Sequence, residues 1–258
     1  MLYSYLCGLG VIAALVVATW VVSIVKRDAS IVDSLWSILF LAAACTYVLQ
    51  QGDPSSRAYL MLALVVIWAL RLAIYITARN WGEGEDRRYQ AIRKRNQPNF
   101  AFKSLYLVFI LQGVLASIVS LPLLAASNSL QPLNALDYLG ALVVGFGLIF
   151  EAIGDWQLAV FKRDLGNDGK VMDRGLWSYT RHPNYFGECC VWWGFYLLAL
   201  TSGGWWTIVG PLVMTGLLLR VSGVALLERD IAKRRPEYQR YILQTNAFIP
   251  GPRKHVTN

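Results

Sequence analysis

Apolar residues run through this chain in blocks separated by short polar segments, and each block is long enough to ask for a bilayer. A helix crosses the hydrocarbon core in about 20 residues. Seven blocks can be marked, roughly 4–25, 31–50, 58–78, 104–126, 138–160, 185–200 and 205–226. Each predicts a membrane-spanning helix. The sixth is short and joins the seventh through Ser202-Gly203-Gly204, a tight-turn composition. Asp28 or Ser30 is placed to cap the second block, and Pro183 breaks the chain ahead of the sixth. The glycines of the fifth block, Gly140, Gly145 and Gly147, read as a helix-packing face. The sequence carries no fixed-period repeat and no low-complexity stretch, so the fold expected is one all-α polytopic membrane domain with seven transmembrane helices.

Composition agrees with the pattern. Of 258 residues 56% are apolar or aromatic and 16% charged, and the mean hydropathy is +0.43, which excludes an ordinary soluble enzyme and a disordered chain. The net charge of +8 is a matter of topology before it is one of nucleic acid. Segment 26–30 holds two basic residues, 79–103 seven, 161–184 five and 227–258 seven, whereas the opposite loops hold only Arg57. The positive-inside rule then places the N-terminus outside and the C-terminus in the cytoplasm. The first block lacks a basic region before it and a small-residue cleavage site, so it reads as a span, not a signal peptide. Cys7, Cys45, Cys189 and Cys190 lie in apolar blocks without ligand spacing, and His182 and His255 are the only histidines. No metal site is expected. The short loops fit a bacterial inner membrane and a monomer.

Ionisable groups inside spans are costly and mark function. Here they are Asp33, Arg71, Glu151, Asp155, Glu188 and Arg220, and all lie in or beside the cytoplasmic half of the membrane. A channel needs polar groups along its full depth, and transporters place them at the midplane. The distribution instead describes a polar cavity open to the cytoplasm. Trp68, Arg71 and Tyr75 share one helical face; Glu151 and Asp155 share another, continued by Lys162; Arg181, Asn184, Tyr185 and Glu188 share a third; Arg220 and Glu228 lie two turns apart. Any one of these charges also fits an ion pair that only fixes packing. The cytoplasmic segments add groups that hold phosphates (Arg79, Arg87, Arg88, Lys162, Lys170, Arg174 and Arg181), interleaved with Tyr89, Trp177, Tyr179 and Tyr185, which border a flat ring. The run Arg93-Lys94-Arg95 reads as a solvated face toward anionic lipid. A Rossmann fingerprint, a P-loop and a Ser-His-Asp order are all missing.

The stretch Gly175-Leu-Trp-Ser-Tyr-Thr-Arg-His-Pro-Asn-Tyr-Phe-Gly-Glu188 resembles the signature of the steroid 5α-reductase family, in particular its bacterial membrane branch. The match extends through Asp155, the Lys162–Asp173 loop, Arg220, Arg235-Pro-Glu-Tyr-Gln-Arg-Tyr241, Thr245 and Phe248-Ile-Pro250. Looser elements are Ser30-Ile-Val-Asp33-Ser-Leu-Trp36, Trp68-Ala-Leu-Arg71-Leu and Glu85-Asp86-Arg87-Arg88-Tyr89. The resemblance implies a seven-span reductase that holds NADPH in the cytoplasmic cavity and admits a sterol-like enone lipid from the bilayer. In this division residues 1–126 form the substrate side and 127–258 the cofactor half. Asp155, Lys162, Lys170, Asn184, Glu188, Arg71 and Arg220 match cofactor contacts. Arg79, Asp86, Arg88, Tyr89, Tyr179, Arg181, His182, Tyr185 and Glu228, from the same motifs and faces, complete the cofactor set. The family places an acid on span two and a tyrosine on span three against the substrate carbonyl. Here the acid position is Asp33, while the tyrosine position is Trp68, which has no hydroxyl; Tyr75 lies one turn past Arg71.

The chemistry implied is hydride transfer to the β-carbon of a conjugated ketone, with a donor stabilising the oxygen as charge develops. A protonated Asp33 is the expected donor; the plain alternative is that Asp33 caps its helix beside Ser30. A different enzyme class also fits: membrane methyltransferases of the isoprenylcysteine or phospholipid type share an Arg-His-Pro-x-Tyr signature and bind S-adenosylmethionine. Asn184, the basic loop and Asp33 favour the reductase.

Overall fold

In lipid every backbone N–H and C=O must be bonded within the protein, so apolar blocks wind into helices. The computed structural model describes residues 1–221, 224, 228 and 237–254. Arg235, Pro236, His255 and most of the seventh block beyond 221 fall outside the described residues. The helices are α1 (Leu2–Lys26), α2 (Ile31–Leu49), α3 (Ser56–Asn80), α4 (Arg87–Arg95), α5 (Phe100–Val119), α6 (Leu121–Ser127), α7 (Ala135–Arg163), α8 (Pro183–Leu200), α9 (Trp205–Arg220) and α10 (Glu237–Gln244). Among the described residues no β-strand occurs; one isolated parallel bridge joins Thr180 to Asn246. Five helices, α1, α2, α3, α5 and α7, are long and apolar enough to cross a membrane. α8 and α9 occupy the sixth and seventh blocks, and α9 is a shorter apolar helix.

The fourth block differs from its sequence reading. It does not run unbroken to 126: α5 ends at Val119 and α6 begins at Leu121, with Pro122 in its first turn. Pro122 lacks an N–H, so the hydrogen-bond ladder restarts there. The second block starts as expected, with Ser30 at the cap position, but Ser30 makes no side-chain cap bond.

The chain forms two compact units, Met1–Tyr138 with Tyr196–Gly210, and Leu139–Phe195 with Pro211–Asn258. In the first unit α2 packs against both α1 and α3. Gly8 lets α1 approach α2: a Cβ there would lie 2.5 Å from the Tyr47 ring. The Tyr47 hydroxyl in turn meets Ser120 Oγ at 3.0 Å. Arg57, expected in an outer loop, is fully buried. Its Nε and Nη2 donate to the two oxygens of Asp137 at 2.6 and 2.8 Å, Nη1 donates to Ser129 Oγ, and Nη2 also reaches the Pro132 carbonyl. Thr201 Oγ1 and the Asn134 N–H donate to the same carboxylate. A buried ion pair persists only when its remaining valences are met, and here they are.

In the second unit α7 and α8 approach along a seam of small residues spaced by seven. A Cβ on Gly187 would lie 2.6 Å from the Gly147 carbonyl oxygen, and one on Gly194 would lie 2.8 Å from that of Gly140. Gly154 packs on Pro183. Gly140 and Gly147 are thus the packing residues expected, whereas an added Cβ on Gly145 would meet open space. The close approach buries Glu151, Asp155 and Glu188.

Candidate functional site

In the first unit the polar residues converge where α4 lies against the turn between α1 and α2. Asp86 caps α4 by accepting from the Arg88 N–H at 2.8 Å, so Arg88 and Tyr89 open the helix on the side of Asp33. Tyr89 donates its hydroxyl to Asp33 Oδ1 at 2.5 Å, and Arg88 Nη2 donates to Asp33 Oδ2 at 2.7 Å. Arg88 Nε also donates to Asp86 Oδ1 at 3.0 Å. Tyr89 is buried and Asp33 is part-exposed. Ser30 donates to Asp28 Oδ1 and accepts from the Asp86 N–H. The Ser30 side chain is therefore committed to the loop, and the two Asp33 oxygens accept from Arg88 and Tyr89.

Glu85 fastens the other end of α4. It accepts from the Ala29 N–H at 2.8 Å and from both Nε and Nη2 of Arg93 at 2.8 and 2.7 Å. Arg93 is consequently no part of a freely solvated run; Lys94 and Arg95 are exposed. Burial alone would raise the Glu85 carboxyl, but hydrogen bonds from Arg93 and Ala29, with the Arg93 charge, hold it below the usual carboxylate range. Burial likewise works against Asp86, and bonding to Arg88 reverses it, leaving Asp86 lowered. Burial and the charge of Asp33 together push the Tyr89 phenol well above its ordinary value. It stays protonated and arrives as a donor.

The residues expected on α3 behave differently from one another. Trp68 is fully buried and packs edge-on against Phe40, whose other neighbour in the row is Trp36. It is a core side chain, where the sequence reading sets it against the substrate carbonyl. Tyr75 is half-buried, with the Arg79 guanidinium 5.9 Å from its ring centre. Arg71 is half-buried on the same helix. The phenol beside the acid is Tyr89, not Trp68 or Tyr75. The family pattern points to span three, whereas the phenol belongs to the motif Glu85-Asp86-Arg87-Arg88-Tyr89.

In the second unit the signature 175–188 is folded against the chain's own tail. Arg181 Nε and Nη2 donate to the two oxygens of Glu228 at 2.7 and 2.9 Å, and its Nη1 donates to the carbonyls of Ile242 and Thr245. The Arg181 N–H donates to Asn246. His182 Nε2 lies 3.0 Å from Glu228 Oε1. Thr180 Oγ1 donates to the Phe248 carbonyl at 2.8 Å, Tyr241 donates its hydroxyl to the Trp177 carbonyl, and Trp177 Nε1 donates to Gly154. Burial would raise the Glu228 carboxyl, but hydrogen bonds from His182 and Arg181, and their charges, bring it down to about 2. Arg181, His182 and Glu228 are thereby committed to a clasp, where the sequence reading had them facing a cofactor.

The remaining candidates of this unit lie at the α7–α8 seam, in the last turn of α7, on the loop that follows it, or on α9. Asn184 Nδ2 donates to Asp155 Oδ1 at 3.2 Å, and Trp192 Nε1 donates to Glu188 Oε1 at 3.1 Å. Tyr185 stacks parallel to His182. Lys162, Lys170, Arg174 and Tyr179 are exposed, as is Arg220 on α9. Among the described residues no group of His, Cys, Asp and Glu is placed to hold a metal.

The chain is similar to the uncharacterized protein C594.04c of Schizosaccharomyces pombe, 27% identical over 262 residues, covering 90% of this chain and 75% of that one. No solved structure matches it. A family model described only as a protein of unknown function matches residues 19–245, which takes in both the α4 cluster and the clasp. The chain belongs to this family, DUF1295.

Proposed function

We propose that this protein is an integral membrane reductase that uses NADPH to saturate the C=C bond of a conjugated enone lipid of the 3-oxo-4-ene steroid type. The observation that carries the reading is the Asp33–Tyr89 couple: a phenol held 2.5 Å from a carboxylate whose other oxygen is fixed by Arg88. Resemblance to the steroid 5α-reductase signature supports it, since that family sets an acid and a tyrosine against the substrate carbonyl.

The residues fit a nicotinamide dinucleotide in the chemistry of their donors. Lys162 in the last turn of α7 and Lys170 and Arg174 on the loop after it are exposed cations, suited to phosphate, and the open ring of Tyr179 offers a stacking face. Asn184 and Asp155 add an amide and a carboxylate. NADPH, when bound, supplies a hydride to the β-carbon. Rotation of the Tyr89 hydroxyl turns its proton from Asp33 toward the substrate carbonyl oxygen without moving the ring. A proton arriving on Asp33 then lets the acid donate to Tyr89 Oη while Tyr89 donates onward, so the enolate oxygen receives a proton through a relay. The α-carbon takes its proton from water as the enol returns to the ketone. Methyl transfer from S-adenosylmethionine develops no enolate oxygen for such a couple to protonate.

The distribution of basic residues supports a seven-span reading with the N-terminus outside and the basic segments cytoplasmic, as in a bacterial inner membrane. Purified Asp33→Asn and Tyr89→Phe proteins are expected to bind NADPH within about twofold of the parent and to lose turnover of an enone by roughly 10²–10³-fold, the scale for removing a donor to a developing oxyanion. Full turnover in either variant rejects the couple as the carbonyl-binding group.

A further inference from the structure

A second site lies in the first unit, apart from the Asp33–Tyr89 couple. A cavity of about 250 Å³ opens where α1 ends and α5 begins, lined by Ser23, Ile24, Arg27, Arg93, Phe100 and Ser104 among others. Its lining is both cationic and aromatic. Arg93 gives Nε and Nη2 to Glu85 and the Arg27 carbonyl, and among the described residues no hydrogen bond engages its Nη1. Its guanidinium sits 4.5 Å from the centre of the Phe100 ring, which holds it in place. Arg27 is exposed at the end of α1, held in a left-handed turn at φ 54°, and its guanidinium makes no hydrogen bond among the described residues. Lys26 precedes it and Lys103 lies beside Ser104 on α5.

The depth of the cavity in the membrane is marked by aromatic residues. Trp20 donates its Nε1 to the Ala101 carbonyl at 2.8 Å and lies 6.4 Å from Phe102; Phe102 is 73% exposed. Trp and Tyr collect at headgroup level. Toward the bilayer the face of α1 is apolar and open, with Val21, Ile24 and Val25 all exposed. A cationic hollow at the interface, continuous with an apolar helix face, matches a molecule with a phosphate at one end and acyl chains at the other.

We propose that this cavity binds the headgroup phosphate of an anionic phospholipid, with Arg27 and Arg93 as its donors and the exposed face of α1 carrying the chains. The inference does not depend on the reductase reading. The lipid seats α4 on the α1–α2 turn, because Arg93 joins the cavity to Glu85.

The test is native mass spectrometry of the delipidated full-length protein, titrated with dioleoylphosphatidylglycerol, dioleoylphosphatidylcholine or inorganic phosphate. Phosphatidylglycerol is expected to bind at one saturable site, and phosphatidylcholine more weakly. Arg27→Gln, which removes no internal bond, is expected to weaken the phosphatidylglycerol site about fivefold, the scale of one basic residue at an anionic surface. Arg27→Lys is expected to retain most of it, and Arg163→Gln on α7 to leave it unchanged. The proposal is overturned by equal binding of the two lipids, by unaltered affinity in Arg27→Gln, or by an equal loss in Arg163→Gln. Saturation by inorganic phosphate at the same concentrations also overturns it, since the ligand would then be a free anion.

Discussion

Glu228 shows how one residue's setting becomes a pH dependence. Its carboxyl is held at about 2 against an ordinary 4.5, beyond the end of α9. A group whose pKa is depressed on folding stabilises the fold fully above its unfolded value and loses that contribution as pH falls through the folded one. The clasp around Arg181 is therefore intact above about pH 4.5, and it loosens as pH drops toward about 2. Hydrogen exchange of residues 237–254, corrected for its intrinsic pH dependence, should accelerate across that window and stay flat above it. Arg181→Lys should release the tail at neutral pH. A lysine keeps the charge but not the planar fork that meets two carboxylate oxygens and two carbonyls at once. Protection of 237–254 equal to the parent would contradict the clasp. At this scale the sequence was a partial guide. Asp33, Arg88, Tyr89, Arg181, His182 and Glu228 were all singled out as chemistry-bearing, but their partners were not legible. Spacing along a helix says which side chains share a face, whereas Tyr89 and Asp33 are 56 positions apart and belong to different helices.

At the scale of helices, the α7–α8 seam depends on the absence of side chains. Gly187→Ala puts a Cβ 2.6 Å from a backbone oxygen of the neighbouring helix and 2.8 Å from the Glu151 Cβ, so one helix must shift. Overpacking of this kind costs about 1–3 kcal/mol, and a shift there also moves Asp155 and Glu188. Gly145→Ala, on α7 with nothing near its Cβ, should not destabilise. Thermal unfolding in detergent separates them: a clear fall in Tm for Gly187→Ala and none for Gly145→Ala. Equal behaviour would mean that the helices are not in close contact. Helix positions were well marked by the apolar blocks, and Gly140 and Gly147 by their composition. The break at Pro122 was missed because the block is apolar on both sides, so hydropathy alone carried no signal there. Arg57 was missed for the opposite reason. A lone cation among short loops looks solvated until Asp137, far along the chain, is seen to meet it with two oxygens.

Across the whole molecule, the basic residues and the reductase reading make one joint claim about sidedness. On that proposal the basic segments face the cytoplasm, where reduced nicotinamide cofactors are supplied. A fluorescent protein fused after Asn258 should fold and fluoresce, and alkaline phosphatase fused at the same point should be inactive; the reverse pattern rejects the topology. Membership of DUF1295 over residues 19–245 adds no activity, so chemistry must be read from the site itself. The most direct measurement is an isotope one. The protein, in detergent with a 3-oxo-4-ene steroid and NADPH carrying deuterium at the transferable position, is followed by mass spectrometry of the steroid. A saturated ketone with one deuterium at the former β-carbon is the predicted result, abolished in Tyr89→Phe. Unchanged steroids across a panel of conjugated enone lipids, with no oxidation of NADPH, would contradict the account.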